Sequence, residues 1–223
     1  MTIRVLFLGE GTSDSGITTH VTRILTDHGL EVAITDPLMD RLPPPPRKTV
    51  SAKLQAVMDL GGEYDLVVIH RDADRTGRAD RILEIRSAVE QVIPDVPFAP
   101  VIPIRMTEAW LLLDESEIRR VAGNPNGKMH LGLPGPHDVE SIPDPKELLG
   151  NVLAVASGFS GRRLEKFRKR FPQNRRLLLE RIDPSSPIVE VSSWRAFNDD
   201  LIAGLECLPQ SSRIGASYRP EAG

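Results

Sequence analysis

Asp65–Thr76, DLVVIHRDADRT, decides the fold. Leu66 to Ile69 is an apolar, β-branched-rich run. It ends in His70 and Arg71, and two carboxylates, Asp72 and Asp74, follow one residue apart. A short apolar run with polar flanks predicts a buried strand, parallel to its neighbours and covered on both faces. Ligands of open α/β sheets sit just outside the carboxyl ends of the strands, where Asp72 and Asp74 fall. Two nearby like charges repel unless a proton or a cation intervenes, so an acidic strand tip suggests a divalent metal.

Upstream, Ile3–Leu8 (IRVLFL) predicts a first strand, which runs into the small polar turn GEGTSDSG, residues 9–16. Ile17, Val21, Ile24 and Leu25 follow at helical spacing, Gly29 is the expected stop, and Leu30–Thr35 predicts a second strand. Asp36–Lys48 is an expected loop stiffened by Pro43–Pro46, which reads as a rigid surface connector or a recognition motif. Val50–Leu60 predicts a helix leading to the central strand.

Downstream, Gly77–Val92 predicts a helix ended by Pro94. Phe98–Ile104 holds Pro100 and Pro103, so a strand there is expected to be short or at an edge. Met106–Leu113 predicts a helix with Thr107 as N-cap. The alternation of strands and helices implies an α/β three-layer sandwich, with a mostly parallel sheet of about four strands and right-handed crossovers.

The remainder differs in character. Residues 123–144 predict a long loop or lid, and helices are expected over 145–157, 161–171 and 174–182. Ser192–Leu205 predicts an amphipathic helix with a serine N-cap, and 209–223 a mobile tail. The organisation expected is a metal-binding domain over 1–120, a loop and helical C-terminal extension over 121–208, and the tail.

Bulk properties narrow the function. A net charge of −3 over 223 residues gives no global attraction to nucleic acid, so such binding needs a local patch. Nine Lys or Arg residues lie between 162 and 181, and Arg162, Arg163, Lys166, Arg168, Lys169 and Arg170 are the densest group. They suit a phosphate backbone, or else form a solvated helix face with Glu165 and Glu180. The single Cys207 excludes an intrachain disulfide framework and all-Cys zinc sites. With no apolar run near ~20 residues and no leader-like start, a cytoplasmic protein without a membrane segment is expected.

Glu10 follows the first strand as Asp72 and Asp74 follow the third, so adjacent strands would bring the three together. Oxygen-only ligands of this kind suit Mg²⁺ or Mn²⁺ better than zinc. Asp14 and Glu108 lie towards the same sheet edge, and each also reads as a helix-terminus acid. Arg71 and Arg75 are the preferred cations for a phosphate group.

LFLGEGTSD at the first strand together with VVIHRDADRTG at the third resembles the Toprim domain of topoisomerases, bacterial primases and OLD-type nucleases. The spacing of Glu10 and Asp14 is similar to that of OLD-type and RloB-like members. IRMTEAWLLLD and SSWRAFNDDL are similar to small stand-alone Toprim-like proteins, often linked to phage defence or found beside ATPase partners. The resemblance covers about residues 1–114 in fold, and more loosely the rest. It implies that Asp72 and Asp74 bind Mg²⁺ and that Glu10 ligates metal or acts as general acid/base in phosphodiester chemistry. It also implies that Asp14 and Glu108 help hold a second metal. DNA or RNA would be the substrate, with an ATPase as partner protein. Neither Tyr64 nor Tyr218 suits a topoisomerase.

Three other readings stay open. The first is a non-catalytic Toprim-like module that binds metal or regulates a partner. The second is a phosphatase of the haloacid-dehalogenase type, whose D-x-D-x-T matches residues 72–76 but usually sits at the first strand. The third is a nucleotide-sugar transferase with a metal-binding D-x-D.

Overall fold

A computed structural model describes residues 2–208; the tail expected over 209–223 lies outside the described residues. Four strands, β1 (Thr2–Leu8), β2 (Glu31–Thr35), β3 (Leu66–His70) and β4 (Phe98–Val101), form one all-parallel sheet in the order β2-β1-β3-β4. Every residue of β3 is buried, as its continuous apolar run requires of a strand covered on both faces. The proline-containing β4 lies at an edge and is only four residues long.

Alternation within the strands divides the core. Ile3, Val5, Phe7, Leu66 and Val68 pack to one side with α1 (Ile17–Asp27), α5 (Pro145–Ser157), α7 (Phe171–Glu180) and α8 (Ser192–Glu206). Leu6, Leu8, Val67 and Ile69 pack to the other with α2 (Val50–Met58) and α3 (Arg78–Val92). The result is a three-layer α/β sandwich. Phe197, Leu201 and Leu205 of α8 share the first core with Leu66, Val68 and Ala99, so the chain's last helix returns to the sheet.

The connectivity places the site. From β1 the chain moves outward to β2, then crosses back over β1 to β3 and on to β4. The winding therefore reverses between β1 and β3, and such a reversal opens a crevice at the strands' carboxyl ends. Leu8 pairs with Ile69 across that boundary, so the turns that begin at Gly9 and Arg71 emerge side by side.

Three local expectations are corrected. Residues 107–112 form a 3₁₀ turn, not an α-helix, with all six residues buried against α5 and α7. Thr107 is no N-cap: its hydroxyl accepts from the Arg175 guanidinium. At α8 the N-cap is Val191, and the capping acceptor comes from elsewhere. Glu140 accepts from the Ser193 backbone N–H at 2.9 Å and from Ser192 Oγ at 2.6 Å. Glu115–Val121, which the apolar periodicity leaves unassigned, is α4; Asp114 caps it, with its Oδ1 accepting from Glu117 N at 3.0 Å. α6 (Gly161–Arg168) completes the helices.

Candidate active site

The turn after β1 carries Glu10 and leads into a 3₁₀ segment, Thr12–Gly16, that contains Asp14. Gly16 suits tight packing there: a Cβ would lie 3.0 Å from the Leu179 side chain and 3.1 Å from the Glu180 backbone nitrogen of α7. That close approach brings α7 to the carboxyl end of the sheet. Lys53, on the inward stripe of α2, donates to the carbonyls of Gly9 at 2.7 Å and Glu10 at 3.1 Å, fixing the turn from behind.

His70, the last residue of β3, is 1% exposed and lies between two carboxylates. Its Nε2 donates to Asp72 Oδ1 at 3.2 Å, and its Nδ1 makes a 3.3 Å ion contact with Asp14 Oδ2. The Nδ1 contact is charge attraction more than an aligned hydrogen bond. Burial alone would lower the imidazole pKa, but the two carboxylates outweigh it and raise it to about 10. His70 is therefore a fixed cation at neutral pH.

Arg175, from α7, is the second buried cation. Its Nε donates to Glu108 Oε1 at 2.9 Å, Nη1 to the Ser13 carbonyl at 2.8 Å, and Nη2 to Asp14 Oδ1 at 3.0 Å. Burial would raise the Asp14 carboxyl, but the His70 contact, the Arg175 charge and the Gly11 N–H hold it well below its usual range. An arginine thus lies between Asp14 and Glu108, in the place where the sequence suggests a second metal.

Glu10 and Asp72 are differently placed. Their side chains are 31% and 17% exposed and border an open cleft of about 320 Å³, together with Ser13, Met106, Lys146 and Phe171. Burial first, then the charge of Asp72, pushes the Glu10 carboxyl above its ordinary pKa, against the pull of His70 and Arg71. Arg71 Nη1 contacts Glu10 Oε1 at 2.8 Å and its Nη2 contacts Glu84 Oε1 at 3.2 Å. Arg81 Nε donates to the Asp72 carbonyl at 3.0 Å. Asp74 and Arg75 are exposed in the turn beyond, and Asp74 adopts a left-handed φ of 46°. The structure therefore brings Glu10, Asp14, Asp72, Glu108 and Arg71 together, and leaves Asp74 and Arg75 outside the cleft wall.

No protein family, curated protein or solved structure matches this chain.

The donor set bears on a metal. Among the described residues no three His, Cys, Asp or Glu side chains are grouped to hold an ion. Mg²⁺, however, commonly uses one or two carboxylates and completes its shell with water and substrate phosphate. Glu10 and Asp72 fit that requirement: two repelling oxygen donors at the open end of a cleft.

Two site residues escape a reading by motif. Lys53 follows Val50 by three residues and precedes Leu54 and Val57, so it sits on the buried stripe of its helix. Arg175 shares the buried face of α7 with Asn174, Leu178 and Leu179. A charged residue at an inward-facing helical position was the available signal for both. A cavity of about 490 Å³ lies away from these carboxylates, among α5, α6 and α7.

Proposed function

We propose that this chain is a Mg²⁺- or Mn²⁺-dependent nuclease of the Toprim kind, cutting phosphodiester bonds of DNA or RNA, with an ATPase as partner in phage defence. One observation carries the reading: Glu10 and Asp72 border the same cleft at the point of strand-order reversal, where burial first and then the charge of Asp72 raise the Glu10 pKa. Glu10 and Asp72 would hold the ion, which supplies Lewis-acid activation of phosphoryl oxygen and water. Arg71, already beside Glu10, is the cation positioned to meet the scissile phosphate. His70 and Arg175 pair with Asp14 and Glu108, which offsets the charge that would repel a polyanion.

Incubating the intact chain with single- and double-stranded DNA and RNA in Mg²⁺ or Mn²⁺ tests this. Metal-dependent cleavage, lost in both Glu10→Ala and Asp72→Ala with unchanged circular dichroism, supports it. Cleavage that survives either substitution overturns it.

A second reading has its own support. Each of Glu10, Asp14, Asp72 and Glu108 already touches a protein cation. That compensation favours a non-catalytic module whose acidic end is structural or binds metal without turnover. Binding of metal and nucleic acid without cleavage, alone and with the ATPase, would select it.

A further inference from the structure

The cavity of about 490 Å³ among α5, α6 and the start of α7 falls within the roughly 300–1,000 Å³ of sites that take small organic groups. Leu153, Phe167 and Phe171 supply apolar wall. Lys146 and Phe171 border this groove and also the carboxylate cleft, so the two adjoin. Asn174 is on its wall, is 5% exposed, and its Nδ2 has no hydrogen-bond partner. A buried amide donor without a partner is costly, and a ligand acceptor would satisfy it.

The occupant's chemistry follows from charge. Asp144 and Glu147 share the wall with Lys146 and Arg168, so the lining charges cancel and favour a neutral group in the cavity itself. From Arg168 on the wall the cationic run continues outward through Arg162, Arg163, Lys166, Lys169 and Arg170, and all six are exposed. Among the described residues none of the six is in an ion pair, and Arg163 lies over the Phe159 ring at 3.9 Å. A neutral planar group inside and a run of anions outside describe one nucleotide of a longer strand. A free mononucleotide would leave most of that cationic run unused.

We infer that this groove receives an unpaired base of single-stranded nucleic acid, stacked on Phe171 and bonded to Asn174. The flanking phosphates then follow α6 on one side and enter the Glu10–Asp72 cleft past Lys146 on the other. The inference rests on the phosphodiester reading of that cleft. A base paired in a duplex cannot enter without unstacking, so single strands are preferred.

Fluorescence anisotropy of labelled oligothymidylate and oligouridylate with the full chain, in EDTA so that nothing is cut, tests the inference. Two variants probe the groove: Phe171→Leu keeps bulk but removes the stacking face, and Gly150→Leu fills the cavity. A Cβ at Gly150 makes ordinary contact with the Phe171 ring, at 3.8 Å, and unchanged circular dichroism checks that the leucine variant folds. Both variants should weaken binding about tenfold or more, Phe171→Trp should retain it, and affinity should fall steeply with salt. Full affinity in both leucine variants, tighter binding of a duplex, or equal competition by thymidine monophosphate would each overturn the assignment. If the strand binds but is never cut, the groove stands and the nuclease reading falls. If it is cut while both variants bind normally, the reverse holds.

Discussion

Arg175 Nη2 donates to Asp14 Oδ1 at 3.0 Å although 161 positions separate the two residues. The same guanidinium reaches Glu108, Thr107 and the Ser13 carbonyl, so one side chain from α7 ties the helical extension to the end of the sheet. Removing it leaves buried Glu108 without a cation and Asp14 with His70 alone. Arg175→Met should lower stability by about 3–5 kcal/mol in urea unfolding. Arg175→Lys should recover only part of that, because an ammonium cannot span four separated acceptors. A loss under ~1 kcal/mol for Arg175→Met would show that the network is not structural.

Two buried histidines should give stability opposite dependences on pH. His20 makes a 2.6 Å contact from Nε2 to the Leu179 carbonyl; burial lowers its pKa to about 4, and its Nδ1 has no partner. It folds as neutral imidazole, so its contribution is present above the unfolded value of 6.5 and is lost as pH falls towards 4. Over that window the loss is on the order of 3 kcal/mol. His20→Gln, which keeps a donor for Leu179, should flatten the acid limb of stability measured by urea titration. His70, raised to about 10, acts the other way: its contribution is full below 6.5 and is lost as pH rises through 10.

The carboxylates should separate by role in a Mn²⁺ titration followed by electron paramagnetic resonance. Glu10→Gln and Asp72→Asn should weaken binding about tenfold or more. Glu108→Gln should leave binding intact and instead cost about 1–3 kcal/mol of stability, because its partner Arg175 stays buried. Equal loss of Mn²⁺ affinity at all three positions would contradict the division drawn from the geometry.

The cap of α8 is a long-range one. Glu140 holds Ser192 Oγ and the Ser193 N–H from 52 and 53 residues away, and Ser193 Oγ in turn accepts from Trp110 Nε1 at 2.8 Å. Glu140→Ala should cost about 1 kcal/mol, measured as a lowered urea midpoint with an unchanged slope. Ser192→Ala should cost less, since the Ser193 N–H keeps its acceptor.

Local pattern was a sound guide wherever the cause was local. The apolar run of β3, the prolines of β4 and the helical spacing of α1, α3 and α5 each reflect chain geometry within a few residues. The 107–112 segment misled because Trp110, Leu111 and Leu112 are buried on every side, so no amphipathic stripe was available to read. α4 carries clear end signals, Asp114 with acids in the first turn and arginines in the last, but little apolar periodicity.

The sequence by itself determined the alternation of strands and helices, hence a parallel sheet, and placed Glu10 and Asp72 just past the ends of two strands. Only the tertiary structure decided that those strands are neighbours, that the winding reverses between them, and that His70 and Arg175 occupy the space among the acids. The reason is physical. Secondary structure follows from spacing along the chain, whereas charge pairing depends on which surfaces pack together, and α7 packs tightly on the Asp14 turn at Gly16. Which carboxylates meet a buried cation was therefore set by packing, which no motif records.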